Sequence, residues 1–221
     1  MRRMCVVLSL AVLLSVSAWA LPGPNSMGIF LENPPTVPLQ FCVDRGPGQV
    51  EFHVLLMNPE VPGMSQPQVA AVEFVLEIQN SSVLFGDWDY HEGVPVVIEM
   101  DANSKFYSIG YTTPLTPVGG VVDLMTYTGF LSSDTVPVVF ILKGYPDTGS
   151  FPDSKRFGYA ASETDLVEAV AVTGDAYDEA YGAYVSNPVL ILNNDGSWDD
   201  FCQNVISNET KTWSNVKSMY R

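Results

Sequence analysis

Residues 70–85 read AAVEFVLEIQNSSVLF. Val72, Phe74, Leu76 and Ile78 alternate with Glu73, Val75 and Glu77. A period of two places one set of side chains in a core and the other largely in water, which is the pattern of a half-buried β-strand. Asn80-Ser-Ser82 supplies a turn, and Val83-Leu84 starts the next apolar segment. The same alternation lies on either side. Upstream, Val50, Phe52, Val54 and Leu56 alternate with Glu51, His53 and Leu55. Downstream, Tyr107, Ile109 and Tyr111 alternate with Ser108 and Gly110.

Three runs are apolar on both faces: Val96–Ile98, Val138–Leu142 and Val189–Leu192. Short runs of that kind suit central strands of a sandwich. Gly119–Met125 and Leu166–Val172 add two strands, and Met27–Leu31 reads as a short edge strand. Turn residues separate the runs at Pro62-Gly63, Gly93, Pro117–Gly120, Asp147–Gly149, Gly174 and Asn193–Gly196. Many short strands at this spacing predict an all-β fold, an antiparallel β-sandwich of about nine strands. The last stretch differs. Trp213, Val216 and Tyr220 fall at helical spacing, so a short amphipathic helical tail is expected over 204–221, its apolar face docked on the domain.

The chain opens with Arg2 and Arg3, an apolar run from Val6 to Val16 and the small-x-small sequence Ala18-Trp19-Ala20. Those are the three parts of a secretory signal peptide, and the apolar run is short for a membrane span of ~20 residues. The expected organisation is a signal peptide at 1–20, an extended segment at 21–37, a β-sandwich domain at 38–203 and the tail. The mature chain is expected to be secreted, periplasmic or displayed at the cell surface, with no membrane span. Formal net charge is −15, and removing Arg2 and Arg3 makes it −17. Such a surface repels nucleic acid phosphate and anionic lipid. Cys42 and Cys202 remain after cleavage, and an oxidising compartment predicts one disulfide between them.

Three polar clusters are candidate sites. Asp87-Trp88-Asp89-Tyr90-His91-Glu92 reads as a loop between strands, and its carboxylates, imidazole and aromatic rings suit a glycan platform, a cation site or an acid–base pair. Asp175, Asp178 and Glu179, with Tyr181 and Tyr184 nearby, carry oxygens suited to Ca²⁺. Asn193–Asp200 surrounds a Gly turn but lacks the spacing and distal Glu of an EF-hand loop, so it reads as a strand-exit turn. No Gly-x-Ser-x-Gly elbow, zinc spacing or phosphate loop occurs. His53 falls on the polar face of its strand and reads as a surface residue. Asn80-Ser-Ser82 and Asn208-Glu-Thr210 match the N-glycosylation pattern, which matters only in a eukaryotic source.

The strand order and the motif small-x-Glu-Phe-x-Leu followed by Val-Leu resemble cohesin-like, immunoglobulin-related sandwiches of secreted bacterial proteins. The residues carrying the motif are Ala71, Glu73, Phe74, Leu76, Val83 and Leu84. The resemblance spans Gln49 to Leu192 and implies a non-catalytic module that binds a partner protein; it carries over no binding residue. The leading expectation is therefore a secreted, non-catalytic sandwich for protein binding, adhesion or surface structure. The alternatives are a glycan-binding or glycan-active protein using residues 87–92, and a Ca²⁺-stabilised structural module.

Overall fold

The computed structural model describes residues 22–36, 39–147, 149–162 and 164–203. The expected signal peptide at 1–20 and the tail residues Trp213, Val216 and Tyr220 lie outside the described residues. In chain order the strands are β1 (Ser26–Phe30), β2 (Cys42–Val43), β3 (Gly48–Met57), β4 (Val69–Gln79), β5 (Leu84–Asp89), β6 (Gly93–Glu99), β7 (Ser104–Leu115) and β8 (Val121–Leu131). They continue with β9 (Val138–Lys143), β10 (Gly158–Ala160), β11 (Leu166–Glu168), β12 (Val170–Ala171), β13 (Asp175–Asp178), β14 (Ala183–Ser186) and β15 (Leu190–Leu192). One sheet has the order β12-β1-β3-β8-β5. The other is built on β4, which pairs with β7 on one side and with β10 and β9 on the other. β6 pairs with β7 and ends that side of the sheet. Only β1–β12 and β2–β15 are parallel pairs among the described residues.

The fold is the expected all-β sandwich. Its inner faces are the alternating residues read from sequence. Val50, Phe52 and Val54 of β3 meet Val72, Phe74 and Leu76 of β4 in one core, all at most 6% exposed. Phe52 joins the sheets, with its ring 5.1 Å from Tyr127 of β8 and 5.2 Å from Phe140 of β9.

The strand count exceeds nine because β2, β10, β13 and β14, of two to four residues each, are too short to display a period, because β5 runs into the residues read as a loop, and because the expected Leu166–Val172 strand divides into β11 and β12. Met27–Leu31 is not an edge. β1 lies between β3 and β12, and all five of its residues are buried. The 21–37 segment thus supplies an interior strand to the sandwich.

Two further apolar layers cover the outer faces. On the first sheet, Leu55 and Met57 are buried with Phe30 and Phe41. β8 carries a bulge here: Val54 opposes Met125 and Leu55 opposes Asp123, so Leu124 is the extra residue. The Leu124 carbonyl accepts a 2.7 Å hydrogen bond from the Tyr111 hydroxyl. On the second sheet, Val139, Ile141 and Ile191 are covered by Val185, Trp198 and Phe201. A helical segment at 199–203 carries Cys202, which forms the expected disulfide with Cys42 of β2. Two of the three doubly apolar runs, 138–142 and 189–192, are therefore central and buried on both sides, as expected. The third is not.

Candidate functional site

The run around Val96 forms β6, an edge strand rather than a central one. Six of its seven residues are exposed. The register with β7 sets Val94 opposite Gly110, Val96 opposite Ser108 and Ile98 opposite Phe106. These residues share the face of the sheet that points away from the core. Val94, Val96 and Ile98 are 68, 56 and 44% exposed. Phe106 continues the apolar row inward and stacks on Tyr145 at 4.2 Å. Glu92, Glu99 and Asp101 are exposed around the strip, with Lys105 opposite Glu99. Periodicity could not separate this strand from a buried one, because an edge and a centre differ in neighbours and not in pattern.

The free edge of β6 is guarded. Successive residues of a strand point their N–H groups alternately to a neighbour and away from it. Met100 N–H bonds to the Ser104 carbonyl at 3.0 Å, which sets the even-numbered residues toward β7. Positions 93, 95, 97 and 99 therefore face outward. Gly93 spends its N–H on the Tyr90 carbonyl at 2.8 Å, and Pro95 has none to offer. The edge is thus a poor template for another strand. Replacing Pro95 with Val restores a donor beside Val97, and the variant is expected to self-associate. Light scattering after size exclusion should show larger species than the unsubstituted chain gives at equal concentration. An unchanged profile would remove this role for Pro95.

Residues 87–92 do not form one loop. Asp87, Trp88 and Asp89 belong to β5, which pairs with β8. Strand alternation turns Trp88 inward, where it meets the rings of Tyr127 at 5.2 Å and Tyr107 at 6.5 Å. Tyr90 also packs on Tyr107. Asp87 and Asp89 point outward. Both rings of the expected platform therefore pack on the core, while its aspartates face solvent. Only Tyr90, His91 and Glu92 lie in the β5–β6 connection. His91 and Glu92 both have positive φ, 50° and 63°. For residues with a Cβ this conformation costs on the order of 1–3 kcal/mol each.

That turn carries His91 onto a cluster that sequence reading missed. Asp123, placed by the β8 bulge, receives both histidines of the chain. His53 Nδ1 donates to its Oδ2 at 2.8 Å, and His91 Nε2 lies 3.2 Å from its Oδ1. Asn33 donates to Oδ2 at 2.8 Å, and Thr126 Oγ1 lies 3.3 Å away. The other nitrogen of His53 is 3.2 Å from Glu51. The side chains of His53, Asp123 and His91 are 12, 18 and 30% exposed. His53 is thus no surface residue. An open cleft of about 550 Å³ between Asn33-Pro34 and residues 115–123 reaches the Asp123 side.

The hydrogen bond to Asp123 raises the pKa of each histidine above its usual 6.5, against the opposing effect of burial. Burial alone would raise the Asp123 pKa, but the bonds from His53 and His91 outweigh it and hold that pKa at about 2. Thr126 approaches the same nitrogen of each ring that Asp123 does. A nucleophile relay needs hydroxyl and carboxylate on opposite nitrogens. The cluster fixes the rings and does not activate Thr126. The sequence signal for it was Asp123 itself, a lone charge inside the apolar run Val121–Met125.

The remaining clusters are built into the scaffold. Asp175 forms one end of β13. Its side chain is 4% exposed, bonded to Arg156 at 2.8 Å, and it accepts the Ala171 N–H. Asp178 accepts the N–H groups of Ala180 and Tyr181 in the next turn. Among the described residues, no three His, Cys, Asp or Glu side chains are gathered to hold a metal ion. Asn193 is 5% exposed and bridges Arg45 and Ser133, which makes its segment a structural strand exit.

No protein-family model matches the chain, and no curated protein matches it. Among solved structures the chain is similar to cohesin modules. One is the sixth cohesin of Acetivibrio cellulolyticus scaffoldin B, solved in complex with a mutant Cel5 dockerin. It is 13% identical over 66% of this chain and 92% of that one, with a TM-score of 0.39. The seventh ScaB type I cohesin from Pseudobacteroides cellulosolvens is 12% identical over 67% and 84%, with a TM-score of 0.35. A type III cohesin from the ScaE cell-surface anchoring scaffoldin of Ruminococcus flavefaciens is 10% identical over 63% and 75%, with a TM-score of 0.37.

Proposed function

We propose that the protein is an exported β-sandwich module that binds a partner protein through the outer face of β6. The observation that carries this is the exposed row Val94-Val96-Ile98. A contiguous apolar strip rimmed by charge is where soluble proteins meet partners. The comparable runs in β9 and β15 are covered by the chain's own residues; among the described residues nothing covers this one. Tyr145, stacked on the buried Phe106, places half-buried aromatic surface beside it, of the kind enriched at the centres of interfaces. The acidic rim and the net charge of −15 favour a partner with an apolar centre and a basic border. Among the described residues no helix is long and apolar enough to cross a membrane.

The test is the double variant Val94→Asp, Val96→Asp. Both side chains are exposed, so stability should change by no more than about 0.5 kcal/mol per site. The native chain should capture a defined protein from extracts of the producing cells, and the variant should lose it. Equal capture by a folded variant would contradict the reading.

A further inference from the structure

We propose that His53, Asp123 and His91 form a pH-sensitive clasp that fastens the 90–92 turn, and with it the start of β6, to the opposite sheet. β5 ends in one sheet and β6 begins in the other. The connection between them is three residues, and two of these hold positive φ. His91 reaches the first sheet through Asp123 and the neighbouring Thr126 hydroxyl. His53 holds the other oxygen of the same carboxylate. Releasing His91 therefore frees a strained turn directly before the exposed strand.

Protonation acts on both rings: on losing its proton His91 keeps only a neutral N–H bond to Asp123 in place of an ion pair, and His53 loses a contact outright. His53 faces a carboxylate on each nitrogen, Asp123 at 2.8 Å and Glu51 at 3.2 Å. Only the imidazolium donates from both nitrogens, so the neutral ring gives up one of these bonds. The groups facing the pair are Glu51 on β3, Asp89 on β5, and Asp123 with the Thr126 hydroxyl on β8. Asn33 adds a neutral donor to Asp123. The acidic groups favour the charged rings.

The folded pKa of each histidine is raised, so the clasp contributes fully below 6.5 and weakens as pH rises through the folded values. The Asp123 pKa is lowered, so its contribution is complete above 3.8 and fades as pH falls toward about 2. The clasp is therefore tightest between 3.8 and 6.5. Its effect on partner affinity rests on the reading of β6 as the binding face: binding should be tighter near pH 6 than near pH 8.

Hydrogen exchange of the full chain tests the clasp without any partner, so its failure is distinguishable from a failure of the binding reading. Exchange is compared at about pH 5.5 and about pH 8.5, corrected for intrinsic rates, with His91→Gln as control. Peptides covering 90–99 should lose protection several-fold at the higher pH, while peptides of β13 and β14 change little. Gln donates to Asp123 at either pH, so the variant should show no such dependence. Equal native protection at both pH values, or the same dependence in the variant, would overturn the proposal. NMR titration of the two imidazoles is the second measurement: both midpoints should lie above 6.5, and a midpoint at or below it for His91 would also overturn the clasp.

Discussion

Replacing Phe52 with Ala is expected to cost about 3–5 kcal/mol of stability, the range for a buried aromatic truncated in a packed core. Phe52 has no exposed surface. It stacks on Tyr127 within its own sheet and meets the edge of Phe140 in the other. Tyr127 in turn supports Trp88 of β5. Removing the ring opens a cavity where the two sheets are joined and loosens the seat of Trp88. For a domain of this size the melting temperature should fall by roughly 10 °C or more. Denaturant titration reads the loss directly. A change below about 1 kcal/mol would mean that the inter-sheet contacts assigned to Phe52 are wrong.

Reduction of Cys42–Cys202 should be comparably damaging. The bridge joins residues 160 apart, and in the chain-entropy model a loop of that length is worth roughly 5 kcal/mol. It also fastens the 199–203 segment, whose Phe201 belongs to the covers of both outer layers. The denaturation midpoint should fall on adding reductant. The double variant Cys42→Ser, Cys202→Ser should begin at the lowered midpoint and ignore reductant. A midpoint insensitive to reductant in the native chain would show that the bridge adds nothing.

The long strands were legible because each carries enough residues to repeat: β3, β4 and β7 follow the alternation of Val50–Leu56, Val72–Ile78 and Tyr107–Tyr111. The short strands β2, β10, β13 and β14 were not, and neither was the difference between β9 and β6. Val138–Leu142 and Val96–Ile98 look alike in sequence. What separates them is whether chain from elsewhere covers the outer face, and Trp198 and Phe201 cover only one. The residues from Asp87 to Glu92 read as one cluster because they are adjacent; strand alternation splits them. Conversely nothing in the sequence joined His53 and His91 to Asp123, because the bulge at Leu124 and the turn at His91 that bring them together are long-range consequences of the fold. Pro95 was visible in the sequence, but its part in guarding an edge required knowing that β6 has one.

The most direct test of the central claim is a hydrogen-exchange footprint of the chain in complex with its captured partner. Added protection is expected over residues 93–99 and 105–107, which form β6 and its neighbour on β7. Protection confined to 84–89 and 126–130 on the other sheet, with β6 unchanged, would contradict it.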